Sequence, residues 1–205
     1  LWQQKAMPLF KKGKYQLGMV YLDKAVLYDS AKWLSYRAFI KCIFSKSYNE
    51  AILDFEEAIK MDGNSYVMDH SYLFYIALSK LQLNKFVAAE SLLKQEIDRI
   101  TQAQGKTWVH HLDLFYYGIA LYEQQKYAAA ILAWDRALAR YPKFADAQYY
   151  KAYALFYLDK EKNKEAYSKL YNTAIANLKN GYTINEDNAI YERYPYQLRI
   201  AEIKQ

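Results

Sequence analysis

Apolar residues recur along this chain at three- and four-residue steps, the period of an α-helix with one buried face. The clearest run is Leu112 to Pro142, LDLFYYGIALYEQQKYAAAILAWDRALARYP. Leu114, Tyr117, Gly118 and Leu121 fall on one helical stripe. Tyr127, Ala130, Trp134 and Ala137 fall on a second, after a polar break at Gln124-Gln125-Lys126. Gly118 and Ala130 are small where two helix backbones must approach, and Tyr127 and Trp134 fill the space beside them. Pro142 stops the second helix, because it lacks a backbone donor and disfavours helix in the residue before it.

The second stripe recurs three more times. Tyr15, Tyr48, Phe86 and Tyr127 each head a predicted helix. Three residues on stand Gly18, Ala51, Ala89 and Ala130. Seven on stand Leu22, Phe55, Leu93 and Trp134. Ten on stand Ala25, Ala58, Glu96 and Ala137, with Glu96 the one departure. On these columns the chain resembles the tetratricopeptide repeat family, whose unit is an antiparallel helix pair of about 34 residues. The resemblance implies an all-α fold, a right-handed superhelical solenoid of about five such pairs with a C-terminal capping segment. The expected repeats are about 1–30, 31–63, 69–104, 111–142 and 145–181, forming one repeat domain over 1–181. Residues 182–205 are expected to be a cap or tail.

Local signals place the breaks. Gly13 closes the turn before Tyr15, and Pro8 either kinks the first helix or marks its start. Asp62-Gly63-Asn64 is a stop and turn. The helix headed by Phe86 reads on to about Gln104, with Gly105 as its C-terminal cap and Thr107 as N-cap of the next helix. The heads lie 33, 38 and 41 residues apart, so an insertion should let the helices joining repeats three and four project about two turns. In repeat five the charged run DKEKNKE makes a loose turn. In the tail, Asn185 should cap a short helix through Arg193, Pro195 should end it, and YQLRIAEIKQ should form one more. The tail either caps the stack or folds back across its groove.

Composition narrows the function. The 205 residues are 53% hydrophobic and 24% charged, which is globular rather than disordered. No run approaches the roughly 18 apolar residues of a membrane span. The 23 tyrosines suit both helix packing and binding surfaces. A net charge of +6 raises nucleic-acid binding, but the lysines are scattered and their densest runs, Lys11–Lys14 and 159–165, fall at turns. The lone Cys42 excludes an internal disulfide and reads as a buried, inert thiol. The chain starts at Leu1, as a processed fragment would, so localisation is open between the cytoplasm and, if an upstream signal was removed, the periplasm.

Catalytic signals are poor. His70, His110 and His111 belong to no recognised metal or nucleophile motif. Adjacent His110 and His111 point to different faces of a helix and chelate badly, so helix-end histidines are expected. Glu56-Glu57 fits a solvated outer face. No enzyme activity, metal or cofactor is expected.

The resemblance instead implies binding. In tetratricopeptide repeats the first helices line the concave side. Carried over, that side is Tyr36, Arg37 and Ile40, then Phe74 and Leu78, then Phe115, Ile119 and Tyr122, then Tyr149, Tyr153 and Phe156. Such a groove lacks the lysine-and-asparagine clamp by which some members hold a chaperone C-terminus. It is expected to take an apolar or amphipathic segment of another protein. The alternative is a self-associating module whose groove is filled by its own tail or by a neighbour, with nucleic-acid binding disfavoured.

Overall fold

Among the described residues ten α-helices form, and the turns between them show why. The computed structural model describes residues 1–203. Helix α1 spans Trp2–Phe10 and α2 Tyr15–Tyr28; α3 is Ser30–Ile43 and α4 Tyr48–Asp62. Helix α5 is Tyr72–Gln82, α6 Phe86–Gln104, α7 His111–Glu123, α8 Tyr127–Arg140, α9 Ala145–Leu158 and α10 Lys164–Lys179. Each aromatic head therefore opens a helix.

Two residues before each of those heads the backbone turns left-handed, at Gly13 (φ 70°), Lys46 (φ 57°), Asn84 (φ 57°) and Gln125 (φ 60°). The residue between, at Lys14, Ser47, Lys85 and Lys126, has φ between −81° and −91° and ψ between 56° and 66°. One turn geometry is thus built four times from different residues. Three of the four are side-chain-bearing residues in a region that costs them strain.

The repeat columns are the core. Leu22, Phe55, Leu93 and Trp134 are fully buried, as are Ala51, Ala89 and Ala130. Glu96, the departure, is also buried, and the Arg99 guanidinium donates to both its oxygens at 2.9 and 2.7 Å. Gly118 carries the steric logic furthest. A Cβ there would lie 2.6 Å from Trp134 Cε2, and the indole N–H donates to the Phe115 carbonyl at 3.1 Å.

The chain divides into two compact units. One comprises Leu1–Asn84 with Ile190–Arg193; the other comprises Lys85–Ala189 with the chain from Tyr194 onward. In the first unit, Pro8 lies inside α1 near its C-terminal end. A two-residue antiparallel ribbon, β1 (Tyr66–Val67) and β2 (His70–Ser71), precedes α5. Its loop residues Met68 and Asp69 both have positive φ, 48° and 68°, as a primed two-residue hairpin turn requires. Sequence did not suggest this ribbon.

In the second unit, α6 runs 19 residues, against 14 for α8. Its extension is not a free projection, because Ile97 and Ile100 pack with Val109, Leu114 and Ala137. Thr107 falls in a 3-10 turn, Lys106–Trp108, rather than capping a helix. His110 is the cap instead. Its Nδ1 accepts from the Leu112 N–H, and Asp113 accepts from the His110 N–H, a capping box.

The tail also departs from expectation. Its described residues hold 3-10 turns, Asp187–Ile190 and Ile200–Glu202, in place of the two helices. Lys204 and Gln205, the end of the expected last helix, lie outside the described residues. Among the described residues no helix is long and apolar enough to cross a membrane.

Candidate partner-binding surface

Helix α9 begins on a buried carboxylate. Asp146 accepts from Thr183 Oγ1 (2.7 Å), the Ile184 N–H (3.1 Å) and the Leu198 N–H (2.7 Å). Burial pushes this carboxyl up to about 6, against the lowering effect of those three donors. Two separate stretches of the tail are thereby pinned to the first turn of α9. Leu198 then packs on Ala145 and Leu178, with Tyr149 and Tyr150 beside it. The tail also crosses onto α7, where Tyr116 Oη donates to the Pro195 carbonyl at 3.0 Å, and Tyr196 packs against Tyr150 at 5.9 Å.

Beyond the tail, α9 and α10 leave an open cleft between them. Tyr149 and Tyr153 lie with ring centroids 4.8 Å apart, and Tyr171 sits 5.7 and 6.2 Å from them. Phe156 meets Tyr167 edge-on at 5.2 Å. Tyr153, Phe156, Tyr167 and Tyr171 line a cleft of about 380 Å³, with Ala152 among its lining residues and Ser168 and Asn172 contributing polar groups. Lys160 Nζ lies 5.4 Å from the Phe156 ring centroid. Partial burial raises the Tyr149 and Tyr171 phenols, Tyr149 further through its neighbour Tyr153. Both hydroxyls stay neutral at ordinary pH and present rings and O–H groups, not charge.

Of the eleven groove residues expected from sequence, the structure places Tyr153 and Phe156 on this cleft, with Tyr149 beside Tyr153 but packed on the Leu198 cluster. Five others are corrected to core: Ile40, Phe74, Leu78, Phe115 and Ile119 are each 0% exposed. The stripe they mark is helical and apolar as expected, but neighbouring elements cover it. Arg37 is corrected too. Its Nε and Nη2 donate to Asp54 of α4 at 2.8 Å each, and its Nη1 to Asp23 of α2 at 2.9 Å, so it is committed to second helices. Tyr36, one residue before it, turns the other way, against Met7 and Gln3 of α1, and is half-buried. Tyr122 is half-buried among Tyr127, Trp134, Tyr150 and Tyr157.

Sequence reasoning missed Tyr167 and Tyr171. It looked for ligand groups only on first helices, yet these two stand four apart on α10, one turn of a single face. Cys42 is buried, as read from sequence. Ser79 Oγ donates to its sulfur at 3.4 Å, and burial pushes the thiol up to about 12. Among the described residues no group of three or more His, Cys, Asp or Glu could hold a metal ion.

Comparison with known proteins fits this architecture. A tetratricopeptide repeat family model matches residues 118–181. No curated protein sequence matches the chain. Among solved structures, MamA 41-end from Desulfovibrio magneticus RS-1 is similar with TM-score 0.70 at 10% identity, over 87% of this chain and 94% of that one. Another MamA structure gives 0.66 at 14% identity, over 86% and 95%. YrrB, described as a TPR protein with an unusual peptide-binding site, gives 0.60 at 17% identity, over 87% and 85%. The family match and the fold support, at the general level, a protein–protein interaction scaffold. The four aromatic-headed turns of one geometry, the antiparallel helix pairs and the match at 118–181 thus agree in making this chain similar to tetratricopeptide repeat proteins in fold.

Proposed function

We propose that the chain is a non-enzymatic scaffold that binds an apolar or amphipathic segment of another protein through accessible aromatic side chains of its helix pairs. The observation that carries this reading is the cleft of Tyr153, Phe156, Tyr167 and Tyr171, about 380 Å³ in volume and lined mainly by aromatic rings. Large aromatic groups half-exposed in a concavity are the usual anchors of protein recognition. That YrrB is described as having a peptide-binding site lends support at the level of fold. Changing Tyr153 and Phe156 together to Ala should reduce capture of a partner protein from the source cells without lowering helix content. Capture that survives the double change, with the partner's identity verified in both arms, overturns the reading.

One observation favours the second reading, a surface occupied by the chain itself. The tail already lies on first helices, through Tyr116 to Pro195 and Tyr150 to Tyr196. Solution mass measured with and without residues 182–205 separates a tail that blocks self-association from one that only caps.

A further inference from the structure

The α9–α10 cleft repeats, one step later, a seat that is filled elsewhere in the same unit. Helix α9 packs on α7 and α8 through Tyr150 and, at its more exposed end, Tyr157. Tyr150 meets Phe115 and Tyr122 at 6.0 Å each and Trp134 at 6.2 Å. Tyr157 stacks on Tyr127 at 5.5 Å and lies 6.3 Å from Tyr122. The rings that receive them are Phe115 and Tyr122 on α7 with Tyr127 and Trp134 on α8, and Gly118 and Ile119 lie on the same stretch of α7.

Thirty-four residues later in sequence, Tyr149, Ala152, Tyr153 and Phe156 of α9 stand where Phe115, Gly118, Ile119 and Tyr122 stand on α7. The small residue is kept at Ala152. On α10, Tyr171 and the buried Ala174 keep the spacing of Trp134 and Ala137. The two seats differ in cover. Phe115 and Ile119 are fully buried, Phe115 against Tyr150 of α9, whereas Tyr153 and Phe156 line an open cleft.

We propose that this cleft receives an amphipathic helix from a partner protein, carrying two aromatic side chains seven residues apart, docked as α9 docks on α7–α8. The inference rests on the scaffold reading above and names the partner's chemistry. Continuity with the internal interface is the argument: the same positions, on the same pair of helices, take a helix with rings at that spacing one repeat earlier. The tail of this chain does not supply it. Its Leu198 N–H is held at Asp146, and Leu198 and Ile203 pack with Ala145, Leu178, Tyr149 and Tyr150, none of which lines the cleft. A second copy fits poorly. Its α1 would continue the stack, but that helix exposes Gln4, Lys5 and Pro8, while Phe10 is buried and Trp2 is stacked on Tyr21 and Tyr28.

The test uses the full chain and a labelled peptide of residues 144–158, the sequence of α9 itself, as the probe. The expected result is saturable binding with gain of peptide helicity, weakened at least about tenfold, or about 1.4 kcal/mol, when the peptide positions 150 and 157 are Ala. The same loss should follow Phe156→Ala in the chain, and also Ser168→Glu at the exposed rim, a change that does not touch the core. Binding that ignores both chain variants, binding equal for the two peptides, or no binding at millimolar peptide overturns the helix proposal. So does self-association of the chain that Ser168→Glu abolishes, because the occupant is then a second copy. If the peptide fails while Tyr153→Ala with Phe156→Ala still lowers partner capture, the scaffold reading stands and only the helical partner falls. If both fail, both fall.

Discussion

Two helix pairs of this chain share a turn but not a chemistry. Between α3 and α4 the contact is ionic: Asp54 is held by Arg37 at 2.8 Å and by Lys41 at 2.9 Å, with Asp23 on the far side of Arg37. Between α7 and α8 the contact is steric: Trp134 lies against Gly118 and its indole N–H is satisfied by a backbone carbonyl. Both pairs are connected through a left-handed residue, Lys46 or Gln125. The repeat spacing therefore decides where two helices meet and leaves open what meets there. An ionic joint tolerates small shifts and loses part of its Coulomb gain to desolvation. A ring against a missing side chain tolerates almost none.

The largest effect should come from the steric joint. Trp134→Ala removes a fully buried ring and should cost about 3–5 kcal/mol of unfolding free energy in denaturant titration. Gly118→Ala pushes a methyl into that ring and should cost about 3 kcal/mol. Adding Trp134→Phe to Gly118→Ala should recover part of the loss, and strict additivity of the two would break the steric account.

The ionic joint should respond less. Asp54→Ala leaves Arg37 and Lys41 facing each other with one fewer carboxylate, and about 2 kcal/mol is the expected loss, since Arg37 retains Asp23 and some solvent. A double change, Arg37→Met with Asp54→Leu, should be milder than Asp54→Ala alone. If it is instead worse, the pair contributes net stability and the contrast between the joints narrows.

The smallest effect tests what the two pairs have in common. Glycine relieves left-handed strain, so Lys46→Gly and Gln125→Gly should each stabilise by up to about 1 kcal/mol, and by similar amounts. Unequal or negative shifts in melting temperature would mean that the turns are alike in angle only.

Much of the fold was legible because its signal is periodic and repeated. Tyr15, Tyr48, Phe86 and Tyr127 head helices, and Gly105 ends the long one at a φ of 97°. What escaped were features that short range does not encode. The ribbon at Tyr66–Ser71 has two residues per strand, too few for alternation to show. Thr107 looks like a cap, yet the cap is His110, whose imidazole and Asp113 close the box one turn later. The final segment carries helical residues, but its Leu198 N–H is drawn to Asp146, fifty-two positions earlier, and the helix does not form. The candidate site was half legible for the same reason. Tyr36 and Arg37 are adjacent, so a helix aims them about 100° apart; sequence placed both in one groove, while the structure sends one to α1 and the other to α2 and α4.

The sealed sulfur of Cys42 has a practical consequence. A thiol with no water contact and little tendency to ionise at neutral pH is silent toward maleimides and nitroxide reagents. A single cysteine introduced elsewhere on the surface would therefore be the sole point of attachment in the native chain. Fluorescent or spin probes could be placed one at a time around Ser168 without first engineering the wild-type sequence.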